Sequence, residues 1–330
     1  MQNVVARISL KTIKKNAALV IDRAHVPFIA VVKDDAYGHG AVRVALALQA
    51  QVSAFAVATV DEGAELRIAG IEKPVLVFTP PLDREDAIRM KAYRLTASVT
   101  SRESLALAKD VGLDVQFAVN TGMNRYGFAP KDVFSAVREA KTSSLRVTGV
   151  YSHFYMAEDE RAREEQFALF CKCAEDVKGI YPDAVRHIAA TGGLLAGEKY
   201  RLDAVRSGIA LYGYLPCGFE GALPVEAAAK VYASVSDAGL RVGRGAGYGF
   251  SNGEPSFYTL RVGYGDGFFR SGKLGGCNAL CMDACIRAGD ARLGEQKLLL
   301  YDVSEYAKAM GTTEYEVLVR ILRGAVKYYD

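Results

Sequence analysis

The chain has 330 residues, of which half are hydrophobic and about a quarter are charged, a balance typical of folded globular proteins. Its 41 basic and 38 acidic residues leave a formal net charge of +3, which argues against nucleic acid or an anionic membrane surface as a partner. No apolar stretch reaches the ~20 residues that span a bilayer, and the N-terminus lacks the pattern of a signal peptide, so we expect a cytoplasmic protein.

A pattern of strand followed by helix repeats through the first two thirds of the chain. A leading helix is predicted from about Ser9 to Arg23, and segments with 3.6-residue apolar spacing at 61–70, 101–112 and 158–179 predict further helices. In the segment 101–112, the serine at its start and the glycine at its end are typical helix start and stop signals. Eight apolar, β-branched runs of strand length accompany them. The predicted strands are 26–33, 54–60, 74–79, 94–99, 113–120, 146–154, 184–191 and 204–213.

Eight β-then-α units with mostly continuous hydrophobic strands predict an α/β fold, a (β/α)8 barrel of the TIM type. An open, doubly wound sheet is the alternative. After about Tyr214 the chain changes to short alternating strands divided by glycine-rich turns, which predicts a mainly-β domain. We therefore expect a barrel domain over 8–214 and a β domain formed by 215–330 together with 1–7.

The six cysteines do not form a CxxC pair, although Cys277, Cys281 and Cys285 are spaced regularly at four residues. No histidine is near them in the sequence, and the stretch CMDACI alternates like a strand. We predict free or structural thiols and no metal site.

Polar side chains interrupt the apolar pattern at the C-terminal ends of the predicted barrel strands, where barrels of this type build their active sites. Residues far apart in the sequence would thus converge on one rim. They are Lys33 after the first strand, Arg125 after the fifth, His153 after the sixth, Thr191 after the seventh, and Arg206 with Gly208 and Ile209 at the eighth.

The kinds of residue at this rim indicate a chemistry. A buried lysine among apolar residues has a lowered pKa and can form a Schiff base. Small residues near Thr191 and Gly208 could offer N–H groups and a hydroxyl to a phosphate, at the place where barrels often bind one. Pyridoxal phosphate requires both a lysine and a phosphate site. A sugar phosphate substrate would satisfy the same pattern.

Seven motifs in order along nearly the whole chain resemble those of the alanine racemases, pyridoxal phosphate enzymes with a barrel and a β domain. Taken singly, each residue has an ordinary structural explanation, such as a core histidine or a surface arginine. Their joint order favours the resemblance. The motifs are VVKDDAYGHG from 31, NTGMNRYGF from 120, GVYSHF from 149, VRSGIALYG from 205, GYG from 247, VGYGDGFFR from 262 and CMD from 281.

The resemblance implies a role for each matching residue. Lys33 would form the covalent link to the cofactor, and Arg206 would face its pyridine nitrogen. Arg125 would contact the phenolic oxygen of the cofactor and the substrate carboxylate, to which Met282 would also offer its backbone N–H. The phosphate would be bound by Tyr37, Thr191, Gly208, Ile209 and Tyr315, with threonine at a position where the family usually has serine.

Racemisation removes the α-proton from one face of the substrate and returns it to the other, so two bases are needed. Lys33 is the candidate on one face. Tyr248 matches the family's second base, which comes from the partner subunit and is linked to a histidine that corresponds to His153. The resemblance therefore implies a homodimer with shared active sites.

Three departures from the family pattern stand out. Ala118 and Asn120 occupy the positions of a lysine, often carbamylated, and an aspartate. Ala190 replaces an asparagine, and Asp34-Asp35 replace Ala-Asn. The negative charge that would orient Arg125 is absent, and a chloride ion, water or Asp35 could replace it.

We favour the interconversion of L- and D-alanine, because Tyr264 and Tyr315 at the entrance would leave room only for a small side chain. A serine or broader small amino-acid racemase is the second choice. A decarboxylase-like protein or a pyridoxal phosphate carrier is the alternative of a different class. The chain lacks the glycine-rich phosphate motif of such decarboxylases, and a carrier would need no β domain. Neither the turnover rate nor a role in cell-wall synthesis follows from the sequence.

Overall fold

The structure is a computed structural model that describes residues 4–240, 242–243, 245–250, 255–271 and 280–330. These residues form two compact units. The barrel unit comprises Lys14–Ala36 and Ala41–Val225. The β-rich unit comprises the described parts of Met1–Ile13, Tyr37–Gly40 and Glu226–Asp330.

The chain starts with one strand and one helix, and eight short strands that alternate with helices follow. The first pair is β1 (Val4–Ile8) and α1 (Leu10–Ala24). The barrel strands are β2 (Phe28–Val31), β3 (Ala54–Val57), β4 (Val75–Val77), β5 (Thr96–Val99), β6 (Asp114–Ala118), β7 (Arg146–Tyr151), β8 (Val185–His187) and β9 (Val205–Ser207). Each lies inside a predicted strand, so these predictions are confirmed.

All the pairings in this eight-stranded sheet are parallel, and its order is β8-β7-β6-β5-β4-β3-β2-β9. The order follows the sequence without the reversal that a doubly wound sheet has. Because β9 returns to pair with β2, the sheet curves into a nearly closed barrel. The predicted barrel is confirmed, and the open sheet is excluded.

The barrel has a seam, since β8 and β9 do not pair as a ladder. Two single backbone bonds cross this seam, from Asp203 N–H to the Arg186 carbonyl at 3.1 Å and from Arg206 N–H to the Ala189 carbonyl at 3.0 Å. The guanidinium of Arg186 also donates twice to the Asp203 carboxylate, with both distances 2.9 Å. Side chains thus help to close the barrel where the ladder does not.

Helices follow the strands of the barrel unit. They are α2 (Lys33–Tyr37), which continues into the β-rich unit, α3 (Ala41–Leu48), α4 (Val60–Ile68), α5 (Arg84–Ala92), α6 (Arg102–Val111), α7 (Pro130–Thr142), α8 (Glu160–Ile180) and α9 (Thr191–Ala196). The predicted helices correspond to α1, α4, α6 and α8. The sequence signals for α6 are physically realised, because the Ser101 hydroxyl accepts the Ser104 N–H and Gly112 ends the helix with φ +73°.

The short helix α2 is left-handed, a conformation that no sequence pattern predicted. Asp34, Asp35, Ala36 and Tyr37 all have φ of 53° or 54°. Each non-glycine residue in this conformation costs about 1–2 kcal/mol, so surrounding contacts must hold it. The Asp34 N–H donates to the Glu62 carboxylate at 2.5 Å, and the Asp35 carboxylate accepts the Ala41 N–H at 2.8 Å.

The β-rich unit is built on a six-stranded sheet in the order β14-β13-β10-β1-β16, with β15 also paired to β10. A separate hairpin joins β11 to β12, and two helices complete the unit. The strands are β10 (Ala229–Leu240), β11 (Gly245–Ala246), β12 (Gly249–Phe250), β13 (Ser256–Leu260), β14 (Cys285–Ala288), β15 (Gln296–Leu300) and β16 (Val326–Tyr329). The helices are α10 (Ser304–Met310) and α11 (Glu314–Arg323).

Across the described ranges, no helix has the length and apolar character needed to cross a membrane.

Candidate active site

The predicted residues of the barrel unit lie at the C-terminal side of its sheet. Lys33 follows β2, His153 follows β7, and Thr191 begins α9 after β8. Arg206 lies within β9, and Arg125 lies in the loop between β6 and α7. Parallel strands place their carboxyl ends at one edge of a barrel, so these side chains share one rim. Lys33 and His153 are half-buried and Arg125 is exposed, whereas Arg206 is only 2% exposed.

The guanidinium of Arg206 is buried and bound entirely by uncharged groups. Its Nη1 donates to Nδ1 of His187 at 2.6 Å and to the carbonyl of the same residue at 3.0 Å. Its Nη2 donates to the carbonyls of Ser152 at 2.7 Å and Ile188 at 3.1 Å, and lies 3.3 Å from Nδ1 of His153. Burial lowers the pKa of Arg206 to about 10, so the side chain stays protonated at neutral pH. None of the described carboxylates bonds to it.

The hydrogen bonds of His187 determine its tautomer. Because Nδ1 accepts from Arg206, Nε2 carries the proton and donates to Oε1 of Gln116 at 2.8 Å. The imidazole stacks on the ring of Tyr151 at 5.3 Å, and the Tyr151 hydroxyl is 2.7 Å from Oγ of Ser98. Burial, and then the charge of Arg206, hold the pKa of His187 well below its usual range.

Sequence reasoning missed these supporting residues. Both Gln116 in LDVQFAVN and His187 in AVRHIAAT are polar residues inside otherwise apolar strands. That interruption was the available signal, because a polar group buried in a barrel needs a hydrogen-bond partner there.

His153 lies in a strongly positive environment. Burial lowers its pKa to about 3, and the charges of Arg206, Arg125 and Lys33 act in the same direction. The imidazole is therefore neutral at physiological pH. All the charged groups that shift the pKa of His153 are cations, so this rim is suited to an anionic ligand.

The loop that carries Arg125 is held by an asparagine. Oδ1 of Asn120 accepts the N–H groups of Gly122 at 3.0 Å and Asn124 at 3.1 Å, and its Nδ2 donates to Oδ1 of Asn124 at 3.0 Å. An aspartate at this position would lack that last bond. The Arg125 side chain makes no hydrogen bond or ion pair with the residues that the structure describes, Asp35 included.

Thr191 and the start of the segment after β9 lie next to each other. The Thr191 hydroxyl is 2.8 Å from that of Ser207, which directly precedes Gly208 and Ile209. Thr191 and Ile209 are buried. Gly193 has a packing role of its own, because a Cβ there would lie 2.9 Å from the ring of Phe154.

In the β-rich unit, two of the predicted tyrosines pack together. The rings of Tyr37 and Tyr315 are 5.9 Å apart and tilted at 48°. Burial raises the pKa of Tyr315 to about 12, so its hydroxyl keeps its proton and can donate a hydrogen bond.

Three further predicted residues of the β-rich unit lie on adjoining segments. Tyr248 is at the tip of the β11–β12 hairpin, where a Cβ on the neighbouring Gly247 would lie 3.7 Å from Sγ of Cys281. The Tyr264 N–H donates to the Cys281 carbonyl at 3.1 Å, directly before Met282. The side chains of Tyr248 and Met282 are 71% and 61% exposed.

The cysteines of the described ranges are all free thiols. Cys281 and Cys285 belong to this group, whereas Cys277 lies outside the described residues. Over the same ranges, no group of three or more His, Cys, Asp or Glu side chains is placed to hold a metal ion.

Residues 8–216 match the model of the alanine racemase N-terminal domain. The alanine racemase of Carboxydothermus hydrogenoformans is 32% identical, over 97% of this chain and 98% of that protein. The structure of alanine racemase from Clostridium difficile 630 is similar, with a TM-score of 0.90 and 26% identity, and covers 100% of this chain and 96% of its own. That of the Bartonella henselae alanine racemase with covalently bound pyridoxal phosphate has a TM-score of 0.87 over both full chains, but its 22% identity supports the fold alone. The chain therefore belongs to the alanine racemase family.

Proposed function

We propose that this chain is a pyridoxal phosphate-dependent racemase that interconverts L- and D-alanine. The observation that carries the proposal is the gathering of Lys33, Arg125 and Arg206 around a neutral His153 at the C-terminal rim of the barrel. A lysine amine and two guanidinium groups match a ligand with a carbonyl carbon, a phenolate and a carboxylate. Membership of the alanine racemase family supports the same activity.

The residues present fit the cofactor. Lys33 has the amine for the covalent link, at a half-buried position that a ligand can reach. We assign phosphate binding to the hydroxyls of Thr191, Tyr37 and Tyr315 and to the segment at Gly208 and Ile209. When bound, pyridoxal phosphate supplies an electron sink that makes the α-proton of an amino acid acidic.

Arg206 is suited to donate a hydrogen bond to the ring nitrogen of the cofactor without giving up its proton. Its guanidinium is held on two sides by carbonyls and by His187, so its orientation is fixed. An arginine retains its proton far above neutral pH, and this one has a pKa of about 10. The ring nitrogen would then stay unprotonated, which limits side reactions.

We assign the two proton transfers to Lys33 on one face of the substrate and to Tyr248 of the partner subunit on the other. The guanidinium carbon of Arg270 lies 5.6 Å from the centre of the Tyr248 ring, so a cation faces this aromatic group. Nδ1 of His153 faces the Nη2 donor of Arg206, so the neutral imidazole carries its proton on Nε2 and can donate a hydrogen bond to the Tyr248 oxygen. Arg125 and the Met282 N–H would hold the substrate carboxylate.

The choice of alanine depends on the size of the entrance, which we assign to Tyr264 and Tyr315. Serine racemisation is the second candidate, because one added hydroxyl changes the substrate volume little. No observation on this chain favours a decarboxylase or a cofactor carrier.

We further propose a cytoplasmic homodimer whose D-alanine serves cell-wall synthesis. In this proposal the barrel, 8–214, binds the cofactor, and 215–330 with 1–7 supplies the second base. Two exposed surfaces support a dimer. One is Tyr248 with Met282 in the β-rich unit, and the other is the barrel rim at Tyr126, Tyr155 and Met156, whose exposed fractions are 43–47%. Exposed aromatic and methionine side chains are typical of protein interfaces.

The test is α-proton exchange. The purified protein is incubated with pyridoxal phosphate and L-alanine in deuterated water, and NMR follows the α-position while a chiral assay follows the enantiomers. We expect exchange with loss of chirality, and loss of the visible absorbance of a lysine-linked cofactor in Lys33→Ala. Exchange with retention of chirality would contradict the two-base assignment. Racemisation of serine but not of alanine would make serine the substrate instead of alanine. Absence of any bound cofactor would refute the proposal.

A further inference from the structure

The amide group of Gln166 is buried and fully hydrogen-bonded. Gln166 lies on α8 and is 1% exposed. Its Nε2 donates to Oγ1 of Thr121 at 3.0 Å and to the carbonyl of His153 at 3.0 Å, and its Oε1 accepts the N–H of Tyr155 at 3.1 Å. Both donors and the acceptor of this side chain are thus used within two loops.

The hydroxyl groups next to Gln166 form a chain with a fixed direction. Oγ of Ser152 donates to the Val119 carbonyl at 2.8 Å, so it must accept from Oγ1 of Thr121, which is 2.7 Å away. The Thr121 hydroxyl proton is then used, and its oxygen accepts from Gln166. This direction requires a donor on Gln166, and only an amide or another N–H group on this side chain supplies it.

The two loops that Gln166 joins each carry a residue of the candidate site. Thr121 lies four residues before Arg125, in the loop after β6, and His153 lies in the loop after β7. A Cβ at Gly122 would be 3.5 Å from the ring of Tyr155, so the loops also pack directly on each other. A shift of either loop therefore disturbs the contacts of the other.

We propose that Gln166 is a positioning residue. Its hydrogen bonds hold the loop after β6, which carries Arg125, in a fixed position relative to the loop after β7, which carries His153. Gln166 touches neither substrate nor cofactor. Its function is to fix the distance between the group that binds the substrate carboxylate and the imidazole that serves the second base. The catalytic part of this inference rests on the proposed racemase function, whereas the coupling of the two loops does not.

The main test compares Gln166→Met with Phe170→Leu in the holoenzyme. Methionine keeps the approximate shape of glutamine but makes none of its three hydrogen bonds. Phe170 is fully buried one turn further along α8, so its substitution perturbs the packing of this helix without removing a hydrogen bond. Lost positioning costs up to about 100-fold in rate, so we expect kcat/KM to fall roughly 10- to 100-fold in Gln166→Met.

The split between the kinetic constants separates positioning from simple loss of folded protein. A smaller folded fraction lowers kcat in proportion and leaves KM unchanged. Misplacement of Arg125 weakens carboxylate binding, so we expect KM for alanine to rise in Gln166→Met and to stay at the wild-type value in Phe170→Leu. Thr121→Val breaks the same contact from the loop side. It should also raise KM, and it replaces Gln166→Met if that variant does not fold.

A second readout does not depend on activity. The N–H groups of Gly122 and Asn124 are bonded to Oδ1 of Asn120, so the rate of their hydrogen exchange reports the opening of the loop that carries Arg125. We expect faster exchange of these amides in Gln166→Met and Thr121→Val than in the wild type and Phe170→Leu. Wild-type exchange rates and KM in both loop variants would overturn the inference. If the wild type does not racemise amino acids, the proposed function fails, and the exchange rates alone decide whether Gln166 couples the loops.

Discussion

Arg206 has a structural role beside the chemical role that we propose for it. It spans the seam of the barrel, because it lies on β9 and donates to the carbonyls of His187 and Ile188 on the β8 side. A buried cation without a carboxylate is costly unless its hydrogen bonds are satisfied. Here uncharged acceptors bind both Nη atoms, which leaves the positive charge available for an anionic or electron-rich ligand.

Arg206→Lys should destabilise the protein, although the charge is kept. The ammonium group cannot reproduce the planar fork of Arg206, so Nδ1 of His187 and buried carbonyls lose their donors. We expect the free energy of unfolding to fall by about 2–4 kcal/mol, measured by urea denaturation.

Arg201→Lys is the matched control for this substitution. Arg201 is also buried, at 4% exposure, but its two bonds, to Ala24 and Glu198, are 3.4 Å long. The free energy of unfolding should therefore fall clearly less in Arg201→Lys than in Arg206→Lys. Equal losses in the two variants would contradict the role assigned to the bonds of Arg206.

At the scale of single elements, the left-handed turn α2 connects the predicted cofactor lysine to Tyr37. Four successive non-glycine residues with positive φ store strain, and the Glu62 carboxylate holds the entry to the turn while also accepting the N–H groups of Ala58 and Thr59. Strain of this kind concentrates at functional sites. Local sequence preference did not predict it, because neither Asp34-Asp35 nor Ala36 favours this conformation strongly.

Asp34→Gly should stabilise the protein. Asp34 is exposed and has φ 53°, so glycine removes the steric cost without removing a buried contact. We expect the free energy of unfolding to rise by about 1 kcal/mol, measured by thermal or urea denaturation. Asp183→Gly, in an exposed turn with ordinary φ, should instead cost stability, since glycine only adds freedom to the unfolded chain. A loss in both variants would show that α2 is not strained at Asp34.

The ion pair across the barrel seam should make stability depend on pH. Burial acts to raise the pKa of Asp203, but the hydrogen bonds and charge of Arg186 outweigh it and hold the pKa below the usual 3.8. A carboxyl group with a depressed pKa stabilises the fold above its unfolded-state pKa, and this contribution is lost as the pH falls through the folded-state value.

Asp203→Asn should therefore have a lower free energy of unfolding than the wild type at pH 7. This difference in unfolding free energy should shrink below about pH 4, because the wild-type carboxyl group is then protonated. Urea unfolding across this range measures it. Asp183→Asn, which removes an exposed carboxyl group away from the seam, is the control. A difference for Asp203→Asn that is constant with pH would contradict the assigned role of the charge.

At the scale of the whole molecule, the proposed sharing of active sites between subunits predicts complementation between inactive variants. Lys33→Ala and Tyr248→Phe should each be inactive alone. A mixed dimer has one site with both defects and one with neither, so re-equilibrated mixtures should regain about a quarter of wild-type activity. Lys33→Ala mixed with Arg125→Ala should regain none, because both defects belong to the barrel unit and every mixed site keeps one. No recovery in the first mixture, with exchange of subunits verified, would argue against shared sites.

Much of the fold could be predicted because it depends on local periodicity. Apolar runs of strand length predicted all eight barrel strands, and the serine and glycine around α6 predicted its ends. The barrel residues of the candidate site could be named because polar side chains interrupt these runs, and those of the β-rich unit because their motifs resemble a known family. The sequence did not predict the supporting roles of His187 and Gln116, because these roles depend on contacts between strands that are distant in the sequence.

The sequence by itself determined the barrel and the family, because both follow from patterns that are read along the chain. Tertiary structure decided the left-handed turn after Lys33, the seam between β8 and β9, and the neutral state of His153. Each of these depends on groups that only folding brings together: the Glu62 carboxylate at the turn, the guanidinium of Arg186 at the seam, and three cations around one imidazole. Conformational strain and electrostatics act through space, so the order of residues alone does not reveal them.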